Sequence, residues 1–353
     1  MNKALKILIS PLDWGLGHTT RCIPIIAYLR EQGAEVIIAA NDRSINLLRE
    51  EFSDIRCVSL RGYEITYSKH SWALPIKLFF QLPKIINRII GEHYWLKKFV
   101  KLEEIDFVIS DNRYGMYSTK VPSIFLTHQL QIQVPQSKIL FKIVRAINFF
   151  FIKKFAQCWI VDYLDIRMAG VLSENTNLSI CQYIGNLSRF EKQKVTSYTW
   201  DLVCILSGPE PQRTLLEKAL INQTKGLLLK VLIVRGLPGE TEQHLESNVE
   251  IVNHVPSYDL EIILQHAKVI ITRSGYSTVM DLIKLNRHAI IIPTPGQTEQ
   301  EYLGKYLHDK KWMMAVHQDG INVTNAIKEF EQFAFDAYPN FNFELFKSVL
   351  DKL

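Results

Sequence analysis

Thr272-Arg273-Ser274-Gly275-Tyr276-Ser277-Thr278-Val279-Met280-Asp281, and then Ile290-Ile291-Ile292-Pro293-Thr294-Pro295-Gly296-Gln297-Thr298-Glu299-Gln300-Glu301, carries the strongest architectural signal in the chain. It reads as strand, tight turn, helix, strand and loop. Each half places small or polar residues where a strand ends and a helix begins. In open α/β sheets that is where ligands bind. A Ser-Gly turn lets backbone N–H groups approach a phosphate, and the helix behind it adds a positive N-terminal dipole. The stretch therefore points to a negatively charged, nucleotide-like ligand.

The same alternation extends outward in both directions. Strands are expected over 202–206, 230–235, 249–252, 269–272 and 289–292, with helices from about 211, 258, 278 and 298. Upstream, strands over 6–10, 35–40, 56–60, 106–110, 123–126 and 158–161 alternate with helices over 21–32 and 44–51 and with long helical stretches near 69–101 and 138–155. Strand–helix alternation of this kind argues for parallel, doubly wound sheets. Gly185-Asn186 and the polar run 188–199 read as a linker between two such series. The expected fold is α/β, two Rossmann-like domains facing one cleft. Their spans are 1–188 and 189–335, with a closing helix over 336–353 packing back toward the first domain.

Size and composition fit this plan. The chain has 353 residues, more than one typical domain, and 47% of them are hydrophobic, ample for two cores. Its five cysteines are scattered, with no C-x-x-C spacing, which favours a reducing compartment without structural disulfides or a zinc site. The apolar run at 7–9 is too short for a signal peptide, and no run of 18 apolar residues predicts a membrane-spanning helix.

Charge is unevenly spread. Residues 1–190 hold 24 Lys/Arg against 16 Asp/Glu, whereas the remainder holds 17 against 20. The excess is densest at 69–101 and 138–155, which also carry Leu78-Phe79-Phe80 and Phe149-Phe150-Phe151-Ile152. Basic and large apolar residues at helical spacing suit a helix lying on an anionic membrane surface. They also suit a core helix with a solvated basic face. No helix-turn-helix, zinc-finger or RNA-binding signature accompanies the charge, so nucleic acid is not an expected partner.

The strand at 6–10 feeds Pro11-Leu12-Asp13-Trp14-Gly15-Leu16-Gly17-His18-Thr19-Thr20-Arg21. Gly15 and Gly17 permit a tight turn and a close ligand approach. A Thr stands where the dinucleotide fingerprint needs its third glycine, so this is not that motif. His18, at the junction of turn and helix, suits a general base because imidazole titrates near working pH. Taken alone, it more often marks a histidine that caps a helix or fills a polar gap.

Taken together, His18, the linker and residues 273–301 resemble the two-domain GT-B glycosyltransferases. The likeness is greatest to family 28 and relatives, the branch with the N-acetylglucosaminyltransferase of the peptidoglycan lipid intermediate. It is diffuse in the first half and most specific from Arg273 to Glu301. The resemblance implies a UDP-sugar donor, inversion at the anomeric centre, no bound metal or cofactor, and an acceptor that is often lipid-linked. Gly185-Asn186-Leu187-Ser188-Arg189 is similar to the family's linker motif, which makes Arg189 the candidate for the diphosphate. Ser207-Gly208 stands at the family's glycine-rich turn, although Pro209 and Glu210 depart from it. Ser274-Gly275 matches the Ser-Gly turn, with Thr278 in the helix after it. Asp281 falls at a ribose-binding glutamate and is one methylene shorter. Gln300 and Glu301 match a pair that reads the donor sugar, and Val255, beside His254, matches the segment that meets uracil.

In the first half, His128-Gln129 resembles a His-Glu-Gln segment of the family. Asp111-Asn112-Arg113 follows another strand. Asp111 is the candidate to orient His18, and it also suits a helix cap or loop. Gly15, Gly17, Arg113, His128 and Gln129 are the expected acceptor contacts. Asp13-Trp14 replaces glycines found in the peptidoglycan enzyme, and Gly-x-Gly-His with Arg21 is closer to a wider GT-B set that includes a UDP-sugar hydrolase. The expected activity is transfer of a sugar, N-acetylglucosamine or another hexose, from a UDP-sugar to a hydroxyl of a membrane-associated or glycan acceptor. The expected location is cytoplasmic, peripheral on the inner face of the membrane. A UDP-sugar hydrolase or 2-epimerase on the same fold, and a non-catalytic nucleotide-sugar-binding protein, are the alternatives.

Overall fold

A computed structural model describes residues 4–65, 74–134, 138–176, 178–238, 243–246 and 248–353, with side chains of the helix at 74–103 described from residue 80. Residues 69–73 of the basic apolar region lie outside this range. The chain forms two compact units. The first comprises residues 1–65, 78–187 and 341–353, and the second is built on 188–340.

In the first unit the chain runs β1 (Lys6–Pro11), α1 (Leu16–Glu31), β2 (Glu35–Ala40), α2 (Asp42–Glu51), β3 (Arg56–Ser59), α3 (Leu74–Glu103), β4 (Phe107–Asp111), β5 (Ser123–Thr127), α4 (Lys138–Ile152), β6 (Gln157–Ile160) and β7 (Cys181–Tyr183). The strands form one parallel sheet in the order β3-β2-β1-β4-β5-β6-β7. Parallel strands covered on both faces need apolar residues at every position, and Ile7-Leu8-Ile9 and Ser123-Ile124-Phe125-Leu126 are buried throughout. One face packs Leu8, Ile37 and Val108 against Leu96, Phe99 and Val100 of α3. Phe125, Cys158 and Ile160 pack against Ile152 and Phe155.

The order of strands matters for function. The chain moves outward from β1 to β3, then returns to place β4 on the other side of β1. The carboxyl ends of β1 and β4 therefore form a topological switch point, the usual ligand position in such sheets. Register places Pro11 directly beside Asp111 there.

In the second unit the chain runs β8 (Trp200–Ile205), α5 (Gln212–Thr224), β9 (Val231–Val234), β10 (Gln243–Glu246), β11 (Val249–Val252), α6 (Ser257–Gln265), β12 (Ala267–Thr272), α7 (Tyr276–Lys284), β13 (Ile290–Ile291), α8 (Thr298–Asp309), β14 (Met314–Ala315) and α9 (Val323–Gln332). Sheet order is β10-β11-β9-β8-β12-β13-β14. Its switch point falls between β8 and β12, whose ends are aligned by the pairing of Ile205 with Thr272. Leu202, Cys204, Ile233 and Ile271 pack against Leu216 and Leu220 of α5 and Val323 of α9. The last helix, α10 (Leu345–Leu350), belongs to the first unit, where Phe346 sets its ring edge-on to Tyr28.

Three details depart from the sequence reading. Helix α1 begins at Leu16, five residues before the expected start, so Gly17 and His18 lie in its first turn and only Gly15 needs a positive φ, 107°. Weak helix formers at 17–20 hid that turn. The edge strands β7, β10 and β14 are two to four residues long, too short to show a period, and β10 runs antiparallel to β11. The tail is helical only over Leu345–Leu350.

Helix α4 is inside out. Only Asn148 and Ile152 are buried, whereas Ile139, Ile143, Ile147 and Phe150, at helical spacing, are exposed. The buried amide is fully used. Asn148 accepts from the Tyr114 hydroxyl at 2.8 Å and donates to the carbonyls of Gln129 and Leu130 at 3.2 and 3.1 Å. Leu82, Ile86, Ile90 and Tyr94, four residues apart along α3, are likewise exposed.

Candidate active site

The end of β1, the first turn of α1 and the end of β4 converge on one buried carboxylate. Asp111 closes β4 with no exposed surface. His18 Nδ1 lies 3.0 Å from its Oδ1. Arg21, one turn further along α1, donates from Nε to Oδ2 at 2.7 Å and from Nη2 to Oδ1. Its Nη1 is 2.7 Å from Nδ1 of His128, in the loop after β5. Burial alone would push the Asp111 carboxyl up, but the charges of Arg21 and His18 outweigh it and hold the group at about 2, below its ordinary 3.8. Asp111 is thus a carboxylate at any working pH. It can orient His18 and oppose its positive charge without itself taking the proton.

The loop that delivers His18 is pinned from below. Asp13 accepts the backbone N–H groups of Tyr63 and Glu64 at 3.0 and 3.1 Å. A Cβ on Gly62 would stand 1.9 Å from Asp13 Oδ2, so that approach needs glycine. Arg113 is placed differently from the other expected acceptor contacts. It is fully buried, its Nε donates to Glu92 at 2.9 Å, and Nη1 and Nη2 donate to the carbonyls of Pro11 and Arg61 at 3.3 and 2.9 Å. All three nitrogens are used to hold the loops beneath the site. Gln129 is half-buried, its backbone N–H donating to the Thr127 hydroxyl at 3.0 Å. Gly15 is exposed at the start of α1, and Gly17 accepts from the Thr20 hydroxyl at 3.1 Å.

In the second unit, Ser207-Gly208 follows β8 and Ser274-Gly275 follows β12, on either side of the switch point. Gly208 adopts a φ of 99°, and a Cβ there would lie 3.5 Å from the Thr294 hydroxyl. Gly275 precedes α7, with nothing within 4 Å of where a Cβ would stand, so the helix N-terminus is open to a close approach. Ser274 is buried and donates to the Gln300 carbonyl at 2.8 Å, tying the turn to α8. Thr278 is half-buried in the first turn of α7, and Val255 is buried after β11. Gln300 and Glu301 brace their own loop. They accept the N–H groups of Thr294 and Gly296 at 2.9 and 2.8 Å.

Asp281 is buried in α7 and accepts from the Ser188 hydroxyl at 2.7 Å. Arg189 adds its backbone N–H and its charge, while its guanidinium lies 5.0 Å from the Phe190 ring. Burial dominates and raises the Asp281 carboxyl from 3.8 to about 6 despite these partners. Because the folded value exceeds the unfolded one, Asp281 favours the fold when protonated. That contribution is complete below about pH 4 and is lost as pH rises through about 6. Asp281→Asn keeps an acceptor oxygen for the Ser188 hydroxyl without the charge, and is expected to gain most in melting temperature above pH 6. An equal change at pH 5 and pH 8 contradicts this.

Two residues, one at the switch point of each unit, were not among the sequence candidates. Arg21 was legible only as a basic residue three positions after His18, hence on the same helix face. Arg273 is fully buried and donates to the carbonyls of Gln212, Ile292 and Pro293 at 2.9, 3.3 and 3.4 Å. Burial without a neighbouring acid lowers it from 12.5 to about 10. It knits together the loops that flank the switch point.

Comparison with known proteins agrees with this layout. Residues 202–341 match the model of the glycosyltransferase family 28 C-terminal domain. The glycotransferase of kitacinnamycin superposes with a TM-score of 0.63 at 15% identity, covering 95% of this chain and 91% of that one. SsfS6 of Streptomyces sp. SF2575, complexed with thymidine diphosphate, gives 0.60 at 11%, with 93% and 90% covered. MurG of Acinetobacter baumannii gives 0.54 at 12%, with 99% and 94% covered. No curated protein matches the chain. Fold and domain together define the class, a glycosyltransferase of GT-B type. Within that class the second unit carries the family 28 C-terminal domain.

Proposed function

We propose that this chain is an inverting, metal-independent glycosyltransferase that moves N-acetylglucosamine or another hexose from a UDP-sugar to a hydroxyl of a membrane-associated or glycan acceptor. The observation that carries the reading is the 3.0 Å contact between His18 and buried Asp111 at a sheet switch point, in a chain with a family 28 domain. With its Nδ1 held by a carboxylate, the imidazole offers Nε2 as base to the acceptor hydroxyl. The open N-terminus of α7 after Ser274-Gly275 and the charge of Arg189 stabilise the departing diphosphate in this reading. A neighbour of the same fold was solved with thymidine diphosphate, which supports a nucleoside diphosphate leaving group. Asp281, Gln300 and Glu301 are assigned to the ribose and sugar, Val255 to the base, and Gln129 and His128 to the acceptor. Incubation with UDP-N-acetylglucosamine or UDP-glucose and a lipid-linked glycan, followed by NMR of the product, is expected to show an inverted anomer. Free sugar released at the same rate without acceptor would replace transfer by hydrolysis.

The acceptor's membrane association rests on the inverted helix α4. Its exposed Ile139, Ile143, Ile147 and Phe150 lie beside Lys138, Lys142 and Arg145, and no acid occurs between 138 and 155. Apolar side chains flanked by cations fit an anionic lipid surface. Among the described residues no helix is long and apolar enough to cross a membrane. Ile143→Glu with Ile147→Glu is expected to weaken binding to vesicles containing phosphatidylglycerol by more than about tenfold, since each change removes apolar contact and adds repulsion. Unchanged vesicle binding would contradict the assignment of this face.

A further inference from the structure

Arg21 touches side chains from three elements while only 2% of its own surface is exposed. A guanidinium has donors and no acceptor, so any nitrogen it bonds must offer a lone pair. His128 Nδ1, 2.7 Å from Arg21 Nη1, is such a nitrogen. In neutral His128 the proton is therefore on Nε2. The other imidazole obeys a different constraint. His18 Nδ1 lies 3.0 Å from Arg21 Nη2, a donor, and 3.0 Å from Asp111 Oδ1, an acceptor. It can satisfy one of them. Arg21 Nη2 already has the Asp111 carboxylate, which is a stronger acceptor than imidazole. A lone pair on Nδ1 would instead face the lone pairs of the carboxylate at 3.0 Å. The proton on Nδ1 resolves both contacts.

We propose that Arg21 is a positioning residue that sets the two imidazoles in opposite tautomers, with the proton on Nδ1 of His18 and on Nε2 of His128. One ring then carries its lone pair on Nε2, ready to take a proton from an acceptor hydroxyl. The other carries a hydrogen-bond donor at the same ring position. One guanidinium accomplishes this because its planar fork spans Asp111 while its third arm reaches the loop after β5. A lysine has the charge without the fork. The proton-transfer consequence rests on the glycosyltransferase reading, whereas the tautomer pair stands on the geometry alone.

The test is a long-range proton–nitrogen NMR spectrum of the full chain labelled with ¹⁵N-histidine, recorded at rising pH until the ring signals stop changing, so that the neutral forms are read. Signals are assigned with His18→Gln and His128→Gln. The expected wild-type spectrum has the protonated nitrogen at Nδ1 for His18 and at Nε2 for His128. In Arg21→Lys the His128 pattern is expected to move toward a mixture of tautomers. UDP-sugar turnover should fall by at least about tenfold with an unchanged donor KM, the loss typical of a misplaced base. A wild-type His128 protonated on Nδ1, or a wild-type His18 protonated on Nε2, overturns the proposal even if the variant fails to fold. Unchanged tautomers, or undiminished turnover, in a folded Arg21→Lys variant also overturn it. Failure of UDP compounds to bind would remove the donor reading and leave the tautomer assignment standing.

Discussion

His18→Ala is expected to lower sugar transfer on the order of a thousandfold, the middle of the range that a positioned general base contributes. Affinity for UDP should stay within about twofold, because His18 lies in the first unit and the turn proposed to meet the diphosphate lies in the second. The size of the effect follows from the role. An acceptor hydroxyl is a weak nucleophile until its proton is removed as the bond forms, and among the described residues no other side chain bonded to Asp111 can take that proton. Arg21 is a guanidinium that stays protonated. Cys22, the remaining contact at 3.8 Å, is pushed well above an ordinary thiol by burial and by Asp111. Asp111→Asn should cost less than His18→Ala while stabilising the wrong tautomer of His18. Measuring kcat and KM for donor and acceptor separately checks this. A drop in UDP affinity that matches the loss of rate would contradict it.

Arg113→Met is expected to be the most destabilising single change in the first unit. The Arg113 and Glu92 side chains are 0% and 2% exposed, and their closest approach is 2.7 Å. Glu92 also accepts from the Tyr63 hydroxyl at 3.1 Å. Removing the guanidinium leaves a buried carboxylate without its cation, which typically costs about 3–5 kcal/mol. For a unit of this size that is a fall of roughly 10 °C in melting temperature. Burial already holds the Glu92 carboxyl above its ordinary range with Arg113 present. Without Arg113 its folded value rises further above the unfolded one. The added instability should therefore be greatest at high pH and shrink as Glu92 takes a proton in acid. Glu92→Leu in the same chain should restore most of the loss, because the pair is replaced rather than broken. Thermal melts at about pH 5 and pH 8 test both statements. A fall under about 2 °C at pH 8, or a fall at pH 5 larger than that at pH 8, would contradict the buried pair.

How much of this was legible in the sequence depends on the kind of interaction. The two doubly wound sheets were readable because buried parallel strands such as Ile7-Leu8-Ile9 are apolar at every position and are punctuated by helices. Edge strands β7, β10 and β14 escaped because two to four residues hold no period. The N-terminus of α1 escaped because Gly17 and two threonines conceal its first turn. His18 and Asp111 were readable as chemistry at strand ends, yet their pairing spans 93 positions and only the adjacency of β1 and β4 creates it. Arg113 shows the opposite limit. Its residue type and loop position suggest ligand contact, and only burial against Glu92 reveals that it supports the site from within. The inversion of α4 was half readable. Basic and apolar residues at helical spacing were visible, but which face turns outward depended on Asn148 finding three partners inside.

The claim on which the rest stands is that the second unit binds a uridine diphosphate sugar at the turns after β8 and β12. Thermal shift of the full chain against a panel of UDP, TDP, GDP, ADP and their sugar conjugates tests it most directly. UDP and UDP-sugars are expected to raise the melting temperature, and Arg189→Ala is expected to weaken the shift. Stabilisation by another nucleotide with none from any UDP compound would contradict it.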